Sequence, residues 1–271
     1  MKKNYKLGVI GGGFMAQSII DGILNGFSNK IKPKNIMVSD LSEEILKKFS
    51  DKKIKTTKTN SDIVGFADFV LFAVKPQSLN SVIDELKLNK PKKIITIMAG
   101  ITKKRLKSAF GEDAKVARCM PNTPCSIGSG VVAIDLSDFD DEEKEFITSL
   151  FDSIAEIVLL NENKMNAVTG ISGSGPAYVY LFIDSLIEAG KKQGLTNEES
   201  KTLAINTVYG GAEMLIENPD KNIKDLIKAV CSKGGTTIEA MNKFEENNFY
   251  DIVNQSVEAC VNRAEELSKQ C

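Results

Sequence analysis

Residues 6–16 read Lys-Leu-Gly-Val-Ile-Gly-Gly-Gly-Phe-Met-Ala, and this stretch decides the fold. Lys6 to Ile10 is short and mostly apolar, as a buried strand requires. Gly11-Gly12-Gly13-Phe14-Met15-Ala16 then fits G-x-G-x-x-A at the opening of a helical pattern, Met15 to Leu24. In that setting Gly11 permits a tight turn, Gly13 lets backbone approach a pyrophosphate, and Ala16 lets helix pack closely on strand. The helix N-terminus adds partial positive charge, so the segment is expected to bind a dinucleotide.

The pattern repeats outward from there. Asn35 to Ser39, Phe69 to Val74, Ile94 to Met98 and Lys115 to Cys119 read as strands. Helical periodicity covers Ser42 to Phe49, Ser78 to Leu86 and Thr102 to Phe110. Such alternation predicts an α/β fold, a Rossmann-like doubly wound parallel sheet. Gly130 to Ile134 and Glu156 to Leu160 add strands around an acid-started helix, Asp140 to Phe151. After Asn163 strand signals stop, and helices are expected over Ala177 to Gln193, Thr196 to Glu217, Ile223 to Val230, Thr237 to Glu246 and Asp251 to Lys269. The expected domains are therefore 1–162, dinucleotide-binding, and 163–271, all-α. Ala177 to Gln193 is apolar on most of its circumference, which predicts burial on several sides and a homodimer or larger homo-oligomer.

Ligands of such sheets lie beyond the carboxyl ends of the strands. That rule marks Ser39-Asp40, Ala73-Val74-Lys75-Pro76, Met98-Ala99-Gly100 and Met120-Pro121-Asn122-Thr123-Pro124. An acid at Asp40 accepts from a ribose 2′-hydroxyl and repels a 2′-phosphate, which predicts a preference for NADH over NADPH; capping of the next helix is its plainer role. In the helical half, Gly170 to Tyr178 and Ser232 to Thr237 bring glycines and hydroxyls to the starts of helices. Both are expected to offer backbone N–H donors to a carboxylate, although simple capping accounts for one such loop.

Composition narrows the chemistry. The chain of 271 residues has no histidine and a net charge of −1. A histidine proton shuttle is excluded, a zinc or haem site is not expected, and no general electrostatic pull toward nucleic acid or anionic membrane exists. Five cysteines, Cys119, Cys125, Cys231, Cys260 and Cys271, form no CxxC pair and suit reduced thiols in the cytoplasm. The first residues imitate a secretory leader only until the glycines begin, and no run is long enough for a membrane span. A soluble, cytoplasmic protein with a small-molecule substrate is expected.

Taken in order, GGGFMA (11–16), AVKP (73–76), MPNTP (120–124), SGSGPAY (172–178) and SKGGTTIEAM (232–241) closely resemble the pyrroline-5-carboxylate reductase family, across nearly the whole chain. The resemblance implies a Rossmann-like domain followed by a helical dimerisation domain, with dimers that often assemble into decamers. It implies reduction of 1-pyrroline-5-carboxylate to L-proline with NADH or NADPH. Gly11, Gly12, Gly13, Phe14, Met15, Asn60, Ala73 to Pro76, Ala99 and Gly100 would line the coenzyme site. Ser232 with Gly234, Gly235 and Thr236 would hold the substrate carboxylate, and Thr237 would place its hydroxyl on the ring nitrogen as the catalytic residue. A β-hydroxyacid dehydrogenase is the rival enzyme, but it needs a lysine in the first long helix of its second domain, where Ala177 to Ala189 has none. A non-catalytic NAD(P)-sensing module is the third reading. Phe14 stands where many members have asparagine, and Lys233 where proline is usual. If Lys233 attracts the anionic substrate, Lys233→Pro raises its KM; an unchanged or lower value refutes the attraction.

Overall fold

The computed structural model describes residues 4–26 and 31–270. Cys271, counted above among the thiols, lies outside them.

The first part alternates as expected: β1 (Leu7–Ile10), α1 (Phe14–Asn25), β2 (Ile36–Ser39), α2 (Glu43–Ser50), β3 (Lys55–Thr57), α3 (Asn60–Phe66), β4 (Phe69–Phe72), α4 (Leu79–Glu85), β5 (Lys93–Thr96), α5 (Lys103–Phe110) and β6 (Lys115–Pro121). Then follow β7 (Gly130–Asp135), α6 (Asp141–Thr148) and β8 (Ala155–Leu159). Among the described residues one sheet holds all eight strands, in the order β3-β2-β1-β4-β5-β6-β7-β8. Its order reverses at β1, which pairs in parallel with both β2 and β4. The period of two along β4 explains the layers. Phe69 and Leu71 enter one core with Ile19, Ile20 and Phe146, while Val70 and Phe72 enter the other with Ile63, Val82 and Leu106.

Three elements depart from expectation. The sequence reading did not list β3 and α3. β3 is three residues of Lys-Thr-Thr at the sheet edge, without the apolar run that marks a strand. Nor is the sheet all parallel, because β7 runs antiparallel to β6. The connection from Pro121 to Gly130 holds only a 3₁₀ turn, Thr123–Ile127, too short for the crossover that parallel pairing needs.

The remainder is helical: α7 (Met165–Val168), α8 (Gly175–Lys192), α9 (Asn197–Ile216), α10 (Ile223–Val230), α11 (Thr236–Glu246) and α12 (Phe249–Gln270). Thr196 opens α9 with the expected capping box, its hydroxyl accepting from Glu199 N–H at 3.2 Å. The Gly170 segment is not an open donor loop. Thr169–Gly173 forms a π-helical turn, and Ser174 N–H is already bonded to the Thr169 carbonyl at 2.9 Å. Nor is any residue of α8 buried in the single chain: Tyr180 and Leu181 are 63% and 68% exposed. Within its unit α8 packs chiefly on α9, which leaves the rest of its apolar circumference uncovered. Packing divides the chain into Met1–Ser174 with Cys260–Cys271, and Gly175–Ala259. Position 162 marks the change of secondary structure instead, since the next residues still pack on the sheet unit, with Met165 1% exposed. Among the described residues no helix is long and apolar enough to cross a membrane.

A buried ion cluster ties residue 162 to the sheet. Lys103 Nζ meets Asp135 Oδ1 and Asp138 Oδ1, each at 2.9 Å. Glu162 N–H donates to Asp135 Oδ2 at 2.6 Å, and Arg118 pairs with Glu162 at 3.1 Å. Burial works against the Asp135 charge, but hydrogen bonds from Lys103 and Ser137 outweigh it and hold the carboxyl at about 2, below the ordinary 3.8. A folded-state value below the unfolded one stabilises above pH 4 and is lost as pH falls toward 2. Urea unfolding should therefore show about 2 kcal/mol of Asp135-dependent stability disappearing over that window. Asp135→Asn should lose about 2 kcal/mol at pH 7, Lys103 keeping Asp138 as its partner, and the difference from the parent should shrink as the pH approaches 2.

Candidate functional site

The glycine loop leaves β1 through a turn that only glycine accommodates. Gly11 has φ +94°, and a Cβ there would lie 2.9 Å from the Ala73 carbonyl carbon. Its N–H donates to the Ser39 carbonyl at 2.9 Å, and Ala73 N–H donates to Ile10 at 2.9 Å, so the ends of β1, β2 and β4 are fastened together. A Cβ on Gly12 would strike Ile45 and Phe49 at 2.5 and 2.7 Å. Gly13 differs: a Cβ there would meet nothing within 4 Å. Packing does not demand glycine at that position, but an approaching ligand would. Gly13 is also the N-cap of α1 and offers no side-chain cap, so the first N–H groups of a 12-residue helix are left for an anion. Ala16 is 1% exposed against the core; Phe14 is 60% exposed beside the loop, and Met15 packs inward.

Beyond the strand ends lies a cleft of about 490 Å³, lined by Gly11, Ser39, Asp40, Asn60, Val74 and others. Asp40 fastens the glycine loop to the next helix. Oδ2 accepts from Gly12 N–H at 2.8 Å and Oδ1 from Ser42 N–H at 2.9 Å. The cap of α2 is Ser42, whose hydroxyl accepts from Ile45 N–H, so Asp40 is not the helix cap itself. Asn60 begins α3, and its Oδ1 accepts the Ser39 hydroxyl at 2.6 Å.

Ala73 and Val74 follow β4 directly. Lys75 is exposed, and Pro76 starts a 3₁₀ turn, Pro76–Ser78, that leads into α4. Ala99 is exposed after β5, and Gly100 takes φ +77° with Leu267 of α12 at 3.7 Å from its would-be Cβ. Asn122 has a structural task, since its Oδ1 accepts Val131 N–H at 3.0 Å across the β6–β7 connection.

The second unit carries the other loop. Gly234 has φ +73°, and Gly235 N–H donates to the Ser232 carbonyl at 3.0 Å, curling Ser232 to Gly235 into a turn. A Cβ on Gly235 would lie 2.4 Å from Ser232 Oγ. Gly235 is the N-cap of α11 and brings no side-chain cap, so the first N–H groups of α11, with the Thr236 and Thr237 hydroxyls, stand exposed at one helix end. Neutral donors gathered at a positive helix end suit a carboxylate.

The structure thus gathers Gly11, Ser39, Asp40, Asn60 and Val74 at one cleft of the first unit, and Ser232 to Thr237 at one turn of the second. Lys58, Ser81 and Glu85 also line the cleft, and the sequence reading missed them. A signal was present for two: Ser81 and Glu85 stand at helical spacing on α4, in step with Ser78 just before it and beside the apolar Leu79 and Val82 stripe. Cys119 and Cys125 are buried free thiols, and burial raises the Cys119 thiol far out of the reactive range.

Residues 162–267 match the family model for pyrroline-5-carboxylate reductase dimerisation, and residues 6–100 the model for NADP oxidoreductase, coenzyme F420-dependent. The pyrroline-5-carboxylate reductase of Aquifex aeolicus is 35% identical over 98% of this chain and 97% of its own length. That of Escherichia coli is 32% identical over 97% and 98%. Among solved structures, the Coxiella burnetii enzyme superposes with a TM-score of 0.89 at 32% identity, covering 98% and 99% of the two chains. The Plasmodium falciparum enzyme, solved with NADP bound, gives 0.86 at 32% identity, covering 99% and 100%. With full-length relatives above 30% identity, the chain belongs to the pyrroline-5-carboxylate reductase family.

Proposed function

We propose that the chain reduces 1-pyrroline-5-carboxylate to L-proline with NADH or NADPH, the coenzyme held in the first unit and the imine by Ser232 to Thr237. The observation that carries this is the uncapped α11 N-terminus with its glycine turn, a carboxylate seat built from backbone N–H groups and hydroxyls beside Lys233. The open space at Gly13 and the uncapped α1 start fit a pyrophosphate in the same way. When bound, the coenzyme supplies hydride from its nicotinamide to the imine carbon. Every other task falls to the chain. Gly11 to Met15 seat the phosphates, while Ser39, Asp40 and Asn60 meet the adenosine ribose. Ala73 to Pro76 with Ala99 and Gly100 frame the nicotinamide side. Ser232, Gly234, Gly235 and Thr236 hold the substrate carboxylate, and Thr237 orients the ring nitrogen through its hydroxyl.

The missing histidine is consistent with this chemistry. A cyclic imine takes its activating proton from solvent, whereas a keto acid needs a positioned acid to protonate the developing alkoxide. The lysines of α8 lie in its last turn, at Lys191 and Lys192, which disfavours the β-hydroxyacid dehydrogenase reading. The proposed domains are 1–162 for dinucleotide and 163–271 for dimerisation and substrate. The proposed assembly is a homodimer, with a decamer of such dimers as the larger form, and the four described free thiols suit the cytoplasm.

An assay of imine-dependent NADH and NADPH oxidation tests the reaction itself, and absence of turnover with both refutes it. Thr237→Ala should lower kcat/KM for the imine by about 10²-fold, as loss of one preorganised donor does, with coenzyme affinity near normal. Full activity would remove Thr237 from the site. Gly13→Ala should fold with parental stability and raise the coenzyme KM by roughly tenfold or more, because the methyl enters space that the pyrophosphate needs. An unchanged KM would place the phosphates elsewhere.

A further inference from the structure

Two carboxylates, Asp40 and Glu85, line the coenzyme cleft. Glu85 grips Asn60 twice: its oxygens accept from the Asn60 backbone N–H and from Nδ2, each at 2.6 Å. That grip sets the amide so that Oδ1 receives the Ser39 hydroxyl, also at 2.6 Å. The donors on this wall are therefore spent on one another. Ser39 has a single hydroxyl proton and gives it to Asn60. Asn60 gives its backbone N–H and one amide hydrogen to Glu85. At Asp40, Glu85 and Ser39 acceptor lone pairs remain, while Gln77, Ser78 and Ser81 add neutral donors elsewhere in the lining. Lys58 is the cation among the residues lining the cleft, and Glu43 holds it at 2.5 Å. The hydrogen bond and charge of Lys58 in turn keep the Glu43 carboxyl below its ordinary value.

A ribose 2′-hydroxyl brings a donor to that wall and is satisfied by it. A 2′-phosphate brings about −1.5 to −2 charge and acceptor oxygens only, so it meets two like charges, and the lining cation, Lys58, is already paired with Glu43. We infer that Asp40 and Glu85 act as a pair selecting the coenzyme without a 2′-phosphate, Glu85 both by its charge and by fixing the Asn60 amide. Asp40 alone was expected to favour NADH; the chain Ser39–Asn60–Glu85 adds a second selector on a different element, α4. The inference rests on the coenzyme reading of this cleft.

The test is direct binding of NADH and NADPH to the intact protein by nucleotide fluorescence, without imine, beside kcat/KM for each with imine. The parent should favour NADH at least about tenfold in both measurements, and the gap should narrow as salt screens the repulsion. Glu85→Gln keeps size and an acceptor while removing the charge. It should raise the NADPH-to-NADH affinity ratio several-fold and weaken the salt dependence of that ratio. Adenosine 2′,5′-bisphosphate should compete with NADH more weakly than 5′-AMP, a comparison that needs no variant. A parent preferring NADPH, stronger competition by the bisphosphate, or a Glu85→Gln that weakens both coenzymes alike would each overturn the inference. A chain that selects NADH but leaves the imine unreduced would keep the inference and refute the reductase reading. A chain that reduces the imine with NADPH preferred would do the reverse.

Discussion

As the chain leaves β1, Gly11 passes so near the Ala73 backbone that no side chain fits between them. Much of the coenzyme end depends on that closeness. It lets Gly11 reach the Ser39 carbonyl and Ala73 reach Ile10, so three strand ends are fastened in one place. It puts Gly12 where Asp40 can accept its N–H, and it starts α1 with unspent donors beside the cleft. The cost is local, a positive-φ residue that loses more freedom on folding than any other type. The gain is a preformed loop whose backbone donors at the start of α1 are already in place.

The strength of that arrangement comes from division of labour among polar groups. Outside the cleft lining, Lys103, Asp135, Asp138, Arg118 and Glu162 carry full charges and are matched, because low dielectric punishes a stranded charge. At the turn before α11 the groups other than the exposed Lys233 are neutral, hydroxyls and peptide N–H, able to meet an anion with little desolvation of their own. A chain without histidine has to assemble binding from such parts.

Much of this was legible in the sequence because long-range pattern and local steric demand agree there. The strand before Gly11 and the helix after it announce themselves by apolar periodicity, and Gly11, Gly100 and Gly234 sit where backbone angles require glycine. The unread parts lacked such a signal. β3 is three polar residues whose only warrant is an edge to pair with, and α3 is seven residues long. The reversed direction of β7 follows from a connection length, not from its own residues. The glycines and serines at 170–175 look like a loop by composition, yet the backbone there closes a π-helical turn on itself. Glu85 was missed because the polar face of a helix is usually solvated, and only the fold brings it to Asn60.

The bare surface of α8 has a consequence for how the protein comes into being. Tyr180 and Leu181 face water in one chain, as do Leu203 and Tyr209 on α9, at 57% and 62% exposure. Exposing that much apolar area costs free energy that a second copy would recover, as the dimerisation model over 162–267 leads one to expect. Maturation of the helical half then becomes a second-order process: its half-time lengthens on dilution and its melting temperature climbs with protein concentration. The first unit, with its own sheet and two cores, is under no such law. One polypeptide thereby holds a part whose stability is a property of the chain and a part whose stability is a property of the population.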